Sequence, residues 1–290
     1  MRNGLRWAVS LEETMTSSSF ENVFRRAVLC SAEHDVEQQR RFRYKEDALA
    51  CLIGRLMPRK AAAIQTSLPW REVQFERNET GKPFLSTPST QNFEYNVSHQ
   101  GDLVVMATAA TGRIGVDVMR IDESRRTSAG EQMDALRRHF SREEVEEVKA
   151  KSSESERWRA FYRIWCLKES ILKATGVGLP DGLHNHTFHV SRDEEHIPGC
   201  LITSTQYFHR GRLQPQWRFD ESFIGTTHCV AVASESSSEE DVTPQHFEMT
   251  SLAAILNDDD DNDAVVEFLN PGGDVDDELD EFMAKPNKPF

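Results

Sequence analysis

Residues 153–176 read SESERWRAFYRIWCLKESILKATG. Trp158, Phe161, Tyr162 and Trp165 recur at spacings of three and four, the repeat of one face of an α-helix. The pattern predicts a helix over Glu154–Thr175, stopped by Gly176 and Gly178. A face so rich in aromatics belongs against a core. One turn further along it stands Glu169, and one turn beyond that Lys173. Charges beside a core are rarely left unpaired unless they hold a metal or a ligand. The plain alternative is a surface Glu–Lys pair at i,i+4, worth about 0.2–0.5 kcal/mol. The aromatic stripe argues against it.

A second misplaced carboxylate lies upstream. In Arg113–Met119, strand alternation puts Ile114, Val116 and Val118 on one face and Asp117 on the other, beside Gly115 and Met119. Asp is poor in strands, and one set in an apolar run asks for a cation or hydrogen-bond donors, unless it lies on a solvated edge. Two such carboxylates suit Mg²⁺, which takes one or two of them with water and substrate phosphate, and a nearby lysine neutralises phosphate charge. Asn96-Val97-Ser98-His99 ends a strand just before the Gln100-Gly101-Asp102 turn. A histidine there donates to a phosphate, carries a proton or simply packs. Arg77-Asn78-Glu79-Thr80-Gly81-Lys82 sets two cations around a glycine turn, as an anion-binding loop would.

Outward from these segments, a strand is expected at Leu5–Leu11 and helices at Phe20–Ser31 and Glu46–Ile64, with Pro58 kinking or splitting the second. Arg71–Arg77 alternates as a strand. Phe93–His99, Asp102–Ala110 and Arg113–Met119 read as an antiparallel meander. Helices follow at Glu131–Phe140 and Ser141–Lys149, the latter opening with a capping box. Short strands return at His186–Val190, Gly199–Thr203, Trp217–Phe223 and His228–Ala233. Two helix-plus-sheet blocks, 1–112 and 113–233, make an α+β protein of two similar-sized halves. Residues 234–290 read as an acidic linker and a mostly disordered tail, with an apolar patch at Phe247–Leu256 able to dock. The acidic run from Asp258 fails as a calcium loop, with Asp263 where glycine is needed and Leu269 where glutamate is needed.

The charge follows the same division. The 290 residues carry 34 Lys and Arg against 48 Asp and Glu, net −14. Residues 234–290 hold 17 of the acids and only two bases, so the body is near neutral and its affinity for anions is not set by the net charge. No apolar run is long enough to span a membrane, and the N-terminus suits no leader, so a cytosolic protein is expected. Cys30, Cys51, Cys166, Cys200 and Cys229 are odd in number and widely spaced, reading as reduced thiols. His184, His186 and His189 make a poor zinc set, since a strand splits them between faces. The glycines of 176–182 follow a helix where a dinucleotide loop follows a strand.

Gly115-Val116-Asp117, with Trp165-Cys166-Leu167-Lys168-Glu169-Ser170-Ile171-Leu172-Lys173 downstream, resembles the two-part signature of 4′-phosphopantetheinyl transferases of the surfactin-synthetase-activating type. RWA at 6–8, GRLMPRK at 54–60, LPW at 68–70, GKP at 81–83, NVSHQGD at 96–102 and FYRIWCLKESILKATGVGL at 161–179 are similar to its animal members. The resemblance runs to about Ala233, is weaker over Phe247–Leu256 and leaves out the acidic end.

The resemblance implies a pseudo-dimeric α+β fold whose halves clasp coenzyme A. It implies transfer of the phosphopantetheine arm to a serine of an acyl or peptidyl carrier domain, with release of adenosine 3′,5′-bisphosphate. Asp117 and Glu169 match the Mg²⁺ ligands, and Glu169 is also the expected base for the serine. Lys173 matches the pyrophosphate-side lysine. Arg77–Lys82, Asn96–His99 and Ser170 match segments that bind coenzyme A, with His99 at the phosphate. Met119 stands where smaller bacterial members have a further acid, so water is expected as the third ligand. An arginine of the animal members falls on Gln38, leaving Arg40 or Arg41 as substitutes. Carrier domains of fatty acid synthase or aminoadipate reductase type are the expected partners of a monomer, with no nucleic acid and no membrane. Carriers are acidic, so Arg137, Arg138, Arg142, Lys149 and Lys151 are a candidate docking face, for which the acidic tail would compete. A catalytically silent binding module is the alternative, against which the intact Asp117, Glu169 and Lys173 speak.

Overall fold

The computed structural model describes residues 4–87, 93–176, 182–191, 194–235, 244–257 and 266–289. The first half opens with β1 (Arg6–Ser10), α1 (Leu11–Thr16), α2 (Phe20–Cys30), α3 (Glu33–Arg40) and the long α4 (Lys45–Thr66). A hairpin, β2 (Phe75–Arg77) and β3 (Pro83–Leu85), precedes β4 (Glu94–Gln100) and β5 (Leu103–Ala109). Pro58 lies inside α4 without splitting it.

The second half holds β6 (Ile114–Arg120), α5 (Ala129–Ala135), α6 (Arg142–Lys149) and α7 (Glu154–Thr175). It continues with β7 (His186–His189), β8 (Gln206–His209), β9 (Arg212–Leu213), β10 (Trp217–Ile224) and β11 (His228–Glu235). α7 has the predicted bounds. Ser153 and Glu156 form a capping box at its start, and Gly176, at φ 70°, ends it by donating to Leu172 O at 2.8 Å. Gly178 lies outside the described residues. The helix expected over Glu131–Phe140 stops at Ala135 and gives way to a 3₁₀ turn, and Gly199–Thr203 forms only a bridge from Ile202 to Glu221.

The expected meander is broken. β4 and β5 pair antiparallel beside β1, but β6 pairs with β11 in the other half's sheet. Alternation gives the reason. On β5, Val104 and Met106 face the first half's helices, while Leu103, Val105 and Ala107 meet Ile114, Val116, Val118, Val230 and Val232 of the second half. A strand apolar on both faces needs cover on both, and the second sheet supplies it. Each half thus lays one 22-residue helix, α4 or α7, on the outer face of its sheet, and the inner faces pack together.

The tail corrects another expectation. Within 244–257 and 266–289 it is ordered on the first half: β12 (Glu248–Met249) pairs parallel with β1, followed by α8 (Leu252–Leu256) and α9 (Val275–Ala284). Leu252, Ile255, Leu256, Leu279 and Phe282 are buried in the first half's core, an apolar content that net acidity conceals. Residues 236–243 and the acidic run 258–265 lie outside the described residues. Among the described residues no helix is long and apolar enough to cross a membrane, and all five cysteines are free thiols.

Candidate active site

The site is built on a close approach. A Cβ at Gly115 would lie 2.1 Å from Ser170 O and 2.3 Å from Ala174 N, so glycine is what lets β6 touch α7. Two residues on, the same strand face carries Asp117 toward the helix that presents Glu169 and Lys173. Asp117 Oδ1 accepts from Lys173 Nζ at 2.6 Å and from Ser98 Oγ at 2.9 Å, and Lys173 Nζ also donates to Ser98 Oγ at 2.8 Å. The aspartate is 5% exposed, and its Oδ2 is buried with no hydrogen-bond partner. Cys166 Sγ donates to the Asp117 carbonyl at 2.9 Å, tying the strand to the helix once more.

These groups open into a cleft of about 450 Å³ lined by Val97, Ser98, His99, Gln100, Asp117, Met119, Trp165, Glu169 and Lys173. Burial, then the Asp117 charge, hold Glu169 above the ordinary glutamate range, against the pull of Lys173. His99 keeps part of its ring in solvent. Crowding by protein lowers its basicity, Asp47 opposes this, and Lys173 and Lys288 add to it.

The predicted residues divide into three groups. Asp117, Glu169, Lys173, Val97, Ser98 and His99 meet at the cleft. Arg77–Lys82 forms a turn beside it: Asn78 Oδ1 accepts from Thr80 and Lys82 N–H, Arg77 donates to Gly81 O at 2.7 Å, Glu79 is exposed, and the Thr80 side chain lies against Gly176 at the end of α7. Lys82 is less an open cation than a clamp, its Nζ reaching Glu94 and Ala174 O at 3.2 Å and Ile114 O at 3.4 Å. The last group does not reach the cleft. Ser170 is buried, its hydroxyl donating to Leu167 O, and Asn96 gives its Oδ1 to Val116 N–H at 3.0 Å, a link between the halves. Gln38 accepts from Arg55, and Arg40 is ion-paired with Glu278 of α9.

Trp165 and Gln100 were not foreseen as lining. The alternation of polar Asn96, Ser98 and Gln100 along β4 was the available signal: all three side chains reach across to β6, at Val116, Asp117 and Arg120. Lys168 was also missed. It is fully buried on Glu144 Oε2 at 2.9 Å and serves packing. On the candidate docking face, Arg142, Lys149 and Lys151 pair with Glu146, Asp134 and Glu147, while Arg137 and Arg138 are exposed next to His139, which meets the Trp165 ring edge-on at 6.2 Å.

Comparison with known proteins places this geometry. Residues 17–111 match the family model described as 4′-phosphopantetheinyl transferase, N-terminal, and residues 113–233 match that of the 4′-phosphopantetheinyl transferase superfamily. The chain is 34% identical over 248 residues to the human L-aminoadipate-semialdehyde dehydrogenase-phosphopantetheinyl transferase, covering 83% of this chain and 79% of that one. It is 31% identical to the phosphopantetheinyl transferase of Thraustochytrium, over 70% and 69% of the two chains. Against the Bacillus subtilis 4′-phosphopantetheinyl transferase it is 32% identical over 56% and 66%. The chain belongs to the 4′-phosphopantetheinyl transferases, enzymes of holo-[acyl-carrier-protein] synthase type that move phosphopantetheine groups onto carrier-protein domains.

Proposed function

We propose that the cleft between β6, β4 and α7 is where the transfer takes place, with coenzyme A as donor and Mg²⁺ held by Asp117 and Glu169. The carrying observation is the buried, unpartnered Oδ2 of Asp117 in the cleft that Glu169 also lines. A buried carboxylate oxygen without a donor is costly and suits a cation. Two carboxylates, completed by water and substrate phosphate, are a donor set that suits Mg²⁺. Bound there, Mg²⁺ would offset charge on the pyrophosphate oxygens.

The protein groups have separate tasks. Glu169, held in a proton-attracting environment, accepts the proton of the carrier serine. The serine oxygen bonds to the β-phosphorus as the bond from that phosphorus to the bridging oxygen breaks, and adenosine 3′,5′-bisphosphate leaves with that oxygen. Lys173 and His99 stand on the leaving side, the first as a charge and the second as an N–H donor. Carrier domains of fatty acid synthase or aminoadipate reductase type, met in the cytosol by the monomer, fit the exposed Arg137 and Arg138 beside the Trp165 rim.

Transfer is read directly as the mass gain of an apo-carrier protein incubated with coenzyme A and Mg²⁺. Glu169→Gln is expected to lower kcat by about 10²–10⁴, the usual worth of a general base, while coenzyme A binding by calorimetry persists. Near-normal transfer by this variant would refute the assignment. Reversing Arg137 and Arg138 to Glu should raise KM for the carrier alone; an unchanged value would remove the docking face.

A further inference from the structure

The chain runs on past α9 to the first turn of α4, where it is tied down as a strap. Phe282 is buried against Phe24 and Phe20, ring centroids 4.7 and 5.5 Å away. Lys285 Nζ then donates to Arg40 O at 2.9 Å, Pro286 O accepts the Lys45 N–H at 3.1 Å, and the Lys288 N–H donates to Glu46 at 2.8 Å. Glu46 is 6% exposed, so the last anchor is a buried one. Asn287 lines a groove of about 900 Å³ together with Lys45, Gly101, Asp102 and Arg120, and Gly101–Asp102 is the turn that follows His99. The Lys288 ammonium pairs with Asp47 at 2.7 Å and remains 46% exposed.

Charge placement adds a second observation. Residues 234–290 hold 17 acids, and their only two bases, Lys285 and Lys288, both lie in this last stretch. An otherwise anionic segment turns cationic at the strap, where Asn287 shares a groove with Gly101 and Asp102 of the turn after His99.

We propose that Lys288 is a further donor-binding residue: held by the strap near the turn that follows His99, its ammonium meets the phosphate groups of the polyanionic donor. Asp47 holds it in position until the donor arrives. The proposal rests on the reading of His99 and Lys173 as donor-side groups.

Full-length Lys288→Glu, Lys288→Arg and His99→Ala enzymes test it, with KM for coenzyme A and for carrier measured separately. Lys288→Glu is expected to raise KM for coenzyme A by roughly two- to fivefold, the worth of an exposed charge contact, with the effect shrinking at high salt. Lys288→Arg should retain the parental value. The melting temperature and the carrier KM should not move, because the anchor is the backbone of Lys288. If His99→Ala raises KM for coenzyme A and Lys288→Glu does not, the proposal falls while the donor-side reading stands. If neither raises it, the donor-side reading itself falls. A Lys288→Glu enzyme that simply melts lower, with both KM values shifted, would make the strap structural and overturn the proposal.

Discussion

Glu169 sits where burial and the Asp117 charge disfavour its ionised form, with Lys173 opposing. The folded metal-free protein therefore binds a proton there more tightly than the unfolded chain does. Stability must then fall as pH rises from the ordinary glutamate range through the raised folded value. Glu169→Gln removes that loss. Without metal the variant is expected to melt above the parent at pH 7 and to converge with it in acid, where Glu169 is protonated in both states. Adding Mg²⁺ should stabilise only the parent and reverse the ranking. Calorimetric melting with and without Mg²⁺ checks both, and a metal-free variant melting below the parent at pH 7 would count against the environment described. Asp117 and Glu169 were legible in the sequence because each breaks an apolar period. Lys168 was not, since nothing local distinguishes a lysine paired with Glu144 of another helix from one in water.

Between elements, the contact of β6 with α7 decides whether those residues meet at all. The strand alternation and the aromatic stripe each announced a buried face, and the capping box and Gly176 fixed the ends of α7. What periodicity could not say was which strand β6 would pair with. β4, β5 and β6 are neighbours in sequence, and only the need to cover both faces of β5 sends β6 to the other sheet. Gly115 is the point of closest approach, and Gly115→Ala is expected to push α7 off the strand. Overpacking of this kind costs about 1–3 kcal/mol, and at about 2–4 °C per kcal/mol for large domains the melting temperature should drop measurably. Transfer should fall by more than the lost stability explains, because Glu169 and Lys173 move with the helix while Asp117 stays. A Gly115→Ala enzyme with parental melting and parental kcat would contradict the contact.

For the whole molecule, a net charge of −14 suggested a neutral catalytic body trailing a disordered acidic appendage. Composition suggested this because the tail carries 17 acids against two bases, yet burial is decided by where its apolar residues fall. Leu279 and Phe282, one face of α9, enter the core beside α2, and carboxylates ahead of them find arginines of the first half: Asp276 with Arg25, Glu278 with Arg40, and earlier Glu267 with Arg71. The described tail therefore lies on the first half, away from the basic face of α5 and α6 for which competition with a carrier was expected. Buried Glu278 apart, these pairs are exposed and worth little, whereas a fully buried phenylalanine is worth much more. Phe282→Ala is expected to cost about 3–5 kcal/mol and to release α9, detected as a lowered melting temperature and as new protease cleavage within 266–289. Neutralising Asp276 and Glu281 instead should leave both measurements almost unchanged. If the charge variant loosened the tail and the phenylalanine variant did not, electrostatics would hold the tail in place, and the carrier KM would then be expected to depend on it.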